Sequence, residues 1–290
     1  MKNDQLKWVF LIVLSLVWGS SFILMKKALN GMSPVHVGAL RILTASVFLV
    51  LIGFTSLKKI KKHQWKYVFY SALLGTFFPA FLFAYAISGI DSSIASILNS
   101  FTPFNTLIIG ALVFGFAFKK QQLFGILIGL FGTIILIAKG ADMNPNQNYW
   151  LALLPIISSL GYAFNVNIIK KYLQDLEPLA ITTGNFVLII IPTLLVLVLT
   201  GFFSSFEWNT TTQSSFFYIV ILSLFGTSIA KVMFNKLIHM SSPVFSTSVT
   251  YLIPIIAVIW GILDGEELSI IQLLAGVVIL IGVYLANKKK

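Results

Sequence analysis

Two cations stand inside long apolar runs: Lys231 in "GTSIAKVMFNKL" (226–237) and Arg41 in "SPVHVGALRIL" (33–43). A charge at the centre of a membrane-spanning helix costs about 2.5–3.5 kcal/mol on insertion scales, so each needs a reason to be there. Lys231 is five residues from Lys236, near a helix end. It either snorkels to water along its four-carbon stem or faces a cavity as counter-ion for a carboxylate or phosphate. Arg41, the chain's only arginine, follows Pro34 by about two helical turns. It either anchors neighbouring helix ends or acts as a gate or clamp through its bidentate geometry.

The remaining candidates are polar or aromatic and suit binding rather than catalysis. "SSLGYAFNVN" (158–167) puts Tyr162 and Asn165 on one helical face with Ser158, a stripe that either lines a cavity or joins helices. "NSFTPFN" (99–105) sets Asn99 and Thr102 beside Pro103, and "SVTYLIPIIAVIW" (248–260) sets Thr250 and Tyr251 before Pro254. A proline inside a helix removes a backbone donor and obstructs the turn before it. The carbonyl freed near Asn99 or Thr250 must then find a neighbour, a hydroxyl or water in a cavity. Either these are kinks supported by Ser and Thr, or they are paired hinges shaping a cavity whose free carbonyls meet a substrate. Trp18, Tyr85 and Asn235 complete the binding candidates.

Several chemistries have no residues to perform them. The chain has no cysteine, so thiolate, disulfide and iron–sulfur chemistry are excluded. His36, His63 and His239 lie near the ends of apolar runs, without HExxH, GxSxG or a carboxylate pairing, so no hydrolase or metal centre is expected. No cofactor is expected either. Asp91, Asp175, Glu177 and Glu207 fall at run ends, leaving no buried carboxylate relay of the kind proton-driven carriers use. Uniport or exchange is favoured.

The elements holding these residues follow from composition. Of 290 residues 58% are hydrophobic and 10% charged, against roughly 45–50% and 25% in a soluble domain. Apolar runs of about 18–21 residues recur, each long enough to cross a bilayer as a helix. They are continuous, not alternating as in a β-barrel. Ten spans are expected, over 6–25, 35–55, 67–87, 93–114, 121–138, 149–168, 179–200, 216–236, 243–263 and 269–286. The net charge of +11 lies at span ends and calls for no nucleic acid. Lys2, Lys7, Lys58, Lys59, Lys61, Lys62, Lys66, Lys119, Lys120, Lys170, Lys171 and Lys288–Lys290 fall on one side by alternation, and Lys26, Lys27, Lys139, Glu207, Asp264, Glu266 and Glu267 on the other. The positive-inside rule then puts both termini in the cytoplasm. "GILIG" (125–129) is a small-xxx-small motif that serves either a dimer seam or packing within one chain.

The chain also repeats itself. "LLGTFFPAFLF" (73–83) aligns with "LFGTSIAKVMF" (224–234) at an offset of 151, pairing Gly75 with Gly226, Thr76 with Thr227 and Phe83 with Phe234. The same register carries Pro103 onto Pro254 and Gly125 onto Gly276. "KKALNGMSP" (26–34) matches "KKYLQDLEP" (170–178) at an offset of 144, which pairs Trp18 with Tyr162. Two duplicate halves, 1–140 and 149–290, are expected. Five spans in each make the repeat inverted, with a site between the halves.

"WGSSF" (18–22), the "SPVHVGALRIL" segment, "GTSIAKVMFNKLIHMSS" (226–242) and "PIIAVIWGILDGEELSIIQLLAGVVILIG" (254–282) resemble EamA-type members of the drug/metabolite transporter superfamily along nearly the whole chain. The resemblance implies an all-α integral membrane protein of ten helices in two inverted repeats. It also implies export or exchange of small metabolites such as amino acids by alternating access in a plasma or inner membrane, as monomer or homodimer. Phosphorylated or nucleotide-linked sugars and lipid headgroups are the alternatives. Two departures stand out: "FKKQQ" (118–122) replaces the acidic residue expected at the end of the fourth helix, and Lys231 stands where the family carries an apolar or aromatic side chain.

Overall fold

A computed structural model describes residues 3–115, 120–143 and 146–287. Lys2, Lys119 and the tail lysines 288–290 lie outside the described residues, and the side chain of Lys120 is likewise not described. Among the described residues the chain is all-helical. We number the long segments α1 (Asn3–Ala28), α2 (Pro34–Gly53), α3 (Trp65–Ile87), α4 (Ser92–Asn99 with Thr102–Phe114), α5 (Lys120–Met143), α6 (Leu153–Tyr172), α7 (Pro178–Leu199), α8 (Thr210–Met240), α9 (Pro243–Leu263) and α10 (Ile270–Asn287). Eight are long and apolar enough to cross a membrane, while α5 and α10 carry the shorter apolar stretches Leu127–Lys139 and Ile270–Gly282.

Local sequence explains the starts. Ser33 caps α2 by accepting from the His36 amide, with Pro34 in the first turn, where a missing N–H costs nothing. Asn209 and Thr212 form a reciprocal capping box at the start of α8. That helix therefore begins in the polar "TTTQSS", upstream of the 216 expected from apolarity alone.

Four irregularities interrupt the helices, in two pairs. A π-helical turn over Leu73–Phe77 widens α3, and another over Leu222–Ile229 widens α8. α4 stops at Asn99 and restarts at Thr102; α9 passes through a 3-10 turn, Ser248–Tyr251, before Ile253. Both prolines thus sit in the first turn of a new helix instead of kinking an old one. The hydroxyls flanking them satisfy the loosened backbone. Thr102 Oγ1 donates to the Asn99 carbonyl at 2.8 Å, and Ser100 Oγ donates to the Thr250 carbonyl at 2.9 Å, tying one break to the other. The expectation of free carbonyls at Asn99 and Thr250 is therefore corrected: both are taken.

In the bundle α2 packs on α7, α1 on α9, the second part of α4 on α6, and α5 on α10. The "GILIG" motif serves this last pair. A side chain at Gly282 would collide with the backbone of Gly125 and Gly129, so the motif is used inside the chain.

Candidate functional site

A central cavity of about 900 Å³ of atom-free space, mouth included, is lined by residues of α1–α4 from one half of the chain and α6, α8 and α9 from the other. Its walls are mainly apolar and aromatic. Trp18 packs edge-on against Phe234 at 5.0 Å between ring centres, Phe22 edge-on against Phe83 at 5.7 Å, and Phe83 stacks on Tyr162 at 6.1 Å. Polar groups are set among them, and the π-turns contribute Thr76, Thr227 and two backbone carbonyls. Such a turn breaks the regular i to i−4 ladder, and the carbonyls of Gly75 and Gly226 both accept side chains. Lys231 Nζ donates a short bond to Gly75, and Trp18 Nε1 donates to Gly226 at 2.9 Å.

Lys231 therefore turns into the cavity, with its ammonium 6.0 Å from the Tyr162 ring centre. Arg41 also faces the cavity rather than a bundle end. Its Nε donates to Thr227 Oγ1 at 2.7 Å, one helical turn from Lys231 on α8. Among the described residues neither cation has an ion-pair partner, and no Asp or Glu lines the cavity. Like charges lining one low-dielectric cavity repel each other, so holding both here is costly.

Of the residues singled out by sequence, Trp18, Asn99, Thr102, Tyr162, Asn165, Arg41 and Lys231 line the cavity together. Asn165 accepts from Ser71 Oγ at 2.6 Å, which fixes its amide. Three lie elsewhere. Tyr85 is 43% exposed on the outer face of α3. Asn235 is buried, and its Nδ2 donates to Thr182 Oγ1 at 2.9 Å, so it joins α8 to α7. Tyr251 is half-buried against the apolar core, in the 3-10 turn behind the cavity wall. Pro103 and Pro254 stand behind the lining and set where the helices restart. Sequence reasoning passed over Phe22, Met25, Thr76, Phe83, Thr227 and Phe234, all of which line the cavity. The signal for four of them was in hand: the aligned pairs Gly75/Gly226, Thr76/Thr227 and Phe83/Phe234 all face the cavity.

A second polar cluster ties α1, α4 and the α9–α10 connection together. The Glu266 carboxylate accepts from the Ser92 amide and hydroxyl at 3.0 and 2.6 Å, the Ser93 amide and hydroxyl at 3.1 and 2.5 Å, and Lys26 Nζ at 3.0 Å. It thereby caps the first turn of α4, where backbone N–H groups lack partners. Burial pushes this carboxyl up, but the bonds from Ser92, Ser93 and Lys26 outweigh it and hold the group below the usual carboxylate range. Asp264 beside it pairs with Lys26 at 2.9 Å and with Lys27. The cluster joins α1, α4 and the α9–α10 connection about 10 Å along α4 from Asn99.

A profile described as the EamA-like transporter family matches residues 6–138 and again 149–288. The uncharacterized inner membrane transporter YedA of Escherichia coli K12 is 29% identical, over 100% of this chain and 94% of that protein. A WAT1-related chloroplastic protein of Arabidopsis thaliana is 24% identical over 97% of this chain and 69% of its own. A probable amino-acid metabolite efflux pump of Escherichia coli K12 is 28% identical over 54% of this chain and 50% of that protein. A solved crystal structure superposes with a TM-score of 0.67 at 16% identity, covering 96% of this chain and 95% of its own, a likeness of fold. The two profile matches take in nearly every residue of this all-helical membrane chain, and it belongs to the EamA-like transporter family.

Proposed function

We propose that the protein is a secondary transporter that exports or exchanges small metabolites, amino acids or related carboxylate-bearing compounds, by alternating access through the central cavity. The observation that carries this reading is the cavity itself: drawn from both halves of the chain, aromatic-walled, and holding two cations without a counter-ion among the described residues. An inverted pair of five-helix repeats, 1–140 and 149–290, supplies the mechanism. The paired π-turns and paired helix breaks at an offset of 151 support it, because elements related by a two-fold axis in the membrane plane can exchange roles at its two faces. The Glu266 cluster is then the closed gate of one face, and opening that face separates Glu266 from Ser92 and Ser93. Cytoplasmic termini place this gate outside. The relative named as an amino-acid metabolite efflux pump supports the substrate class. Phosphorylated sugars are the second reading, favoured by the same two cations.

The test is counterflow into proteoliposomes preloaded with unlabelled metabolite, with no imposed ion gradient. Labelled carboxylates should accumulate transiently in loaded vesicles and not in empty ones. Absence of counterflow across amino acids, their deaminated acids and sugar phosphates, with folded protein, would overturn the reading.

A further inference from the structure

We infer that the cavity binds an organic carboxylate without a free ammonium group, its anionic head held by Arg41, Lys231 and Thr76 and its apolar body against the aromatic walls. This rests on the transport reading only in making the ligand a substrate; the binding site stands on geometry.

Three observations converge. The first is charge. Both lining cations lack an ion-pair partner among the described residues, and no carboxylate lines the cavity. A site with two positive charges and low-dielectric walls attracts an anion and repels an ammonium. A zwitterionic amino acid would gain at its carboxylate and lose at its amine. The face of Tyr162, a place where an ammonium could find cation–π attraction, already has the Lys231 ammonium over it.

The second is an idle donor. Among the described residues the buried Thr76 Oγ1 has no hydrogen-bond partner, and Thr76, only 5% exposed, lines the cavity. It follows Gly75, whose carbonyl takes Lys231, so the hydroxyl and the ammonium belong to one patch. Its counterpart Thr227 is fully used, accepting from Arg41 and donating to the Leu222 carbonyl at 3.1 Å. A buried hydroxyl left without a partner is costly, and a carboxylate oxygen would satisfy it.

The third is asymmetry. At the 151 offset Lys231 answers to Ala80, and at the 144 offset Arg41 answers to Asn185. Both cations therefore depart from the repeat, whereas the aromatic wall pair Phe83 and Phe234 keeps it. The scaffold is duplicated and the charge is not, which suits a ligand with one anionic end and one apolar end.

The experiment titrates the purified full-length protein in detergent by calorimetry with four probes: 3-phenylpropanoate, phenylalanine, phenethylamine and glucose 6-phosphate. The first three share one apolar body and differ in charge. 3-Phenylpropanoate should bind at least about tenfold more tightly than phenylalanine, and phenethylamine should not bind. Lys231→Met should weaken 3-phenylpropanoate about tenfold or more, Lys231→Arg should retain most of the affinity, and Thr76→Val should weaken it several-fold, about the worth of one hydrogen bond to a charged group. Melting curves establish that each variant is folded. Equal or tighter binding of phenylalanine or phenethylamine would overturn the inference, as would no binding of 3-phenylpropanoate to the folded wild type up to about 10 mM. Tighter binding of glucose 6-phosphate would overturn the apolar body. The two readings fail separately. Anion binding without counterflow leaves this site and removes transport, whereas phenylalanine counterflow without anion binding does the reverse.

Discussion

Glu266 and Lys231 are both charged side chains largely withdrawn from water, and their surroundings treat them in opposite ways. Glu266 accepts five hydrogen bonds, one of them from a cation. Lys231 has one carbonyl, the face of Tyr162 and a second cation on the same cavity wall. A buried charge with every lone pair matched holds structure in place, and its removal leaves the partners stranded. A buried charge left unmatched holds nothing together and is open to a ligand. The difference separates a region whose buried charge is matched within the bundle from one whose buried charge is not.

That contrast is broken or sharpened by substitutions, taken from the largest effect to the smallest. Glu266→Ala should destabilise most, by about 3–5 kcal/mol, because Ser92, Ser93 and the first turn of α4 lose their acceptor while Lys26 keeps only Asp264. Thermal unfolding in detergent reads this, and a loss under about 1 kcal/mol would mean that water replaces the carboxylate at no cost and that the cluster is no lock.

Next comes pH. A carboxyl whose folded value lies below its unfolded value stabilises above the unfolded value, about 4.3 for Glu, and loses that contribution as pH falls through the lower folded one. For Asp264 burial pushes up, but bonds from Lys27 and Lys26 hold it low, so it acts in the same direction. Asp91, raised chiefly by burial, acts in the other. The wild-type melting temperature should therefore fall more steeply than that of Glu266→Gln between about pH 5 and pH 3. Parallel slopes would remove Glu266 as the source.

Lys231→Met should cost less than about 1 kcal/mol, and stability can rise, since relief of repulsion with Arg41 and of desolvation offsets the lost bond to Gly75. A melting temperature as low as that of Glu266→Ala would show that Lys231 is structural after all. The smallest effect belongs to Lys59→Ala. It removes an ion pair to Glu177 at 2.7 Å whose side chains are 55% and 57% exposed, and should change stability by under about 0.5 kcal/mol.

Some of the site was legible before any fold was seen. Trp18 and Tyr162 were paired by the repeat, Asn99 and Thr102 were flagged by the proline beside them, and Lys231 and Arg41 stood out as charges in apolar runs. These signals share one cause: in a chain that is 58% hydrophobic, polar residues inside apolar runs are few and expensive. The same criterion misled for Asn235 and Tyr85. A polar side chain on a membrane helix is satisfied as well by a neighbouring helix or by the interface as by a cavity, and sequence does not say which direction a helix face points. Phe22 and Met25 were illegible for the converse reason, since an apolar residue in an apolar run carries no mark of what it faces.

By itself the sequence determined that the chain is a membrane protein built of helices, because only long apolar runs that satisfy their own backbone can cross hydrocarbon. It also determined where the duplicated glycines, threonines and prolines recur. Only the tertiary structure decided that the prolines begin new helices, that Ser100 and Thr102 take the carbonyls there, and that Lys231 turns to Gly75 and not to water. It alone brought Glu266 to Ser92 and Ser93 across more than 170 residues of chain. Periodicity and composition are local properties, whereas the partner of a buried polar group is chosen by packing between distant helices.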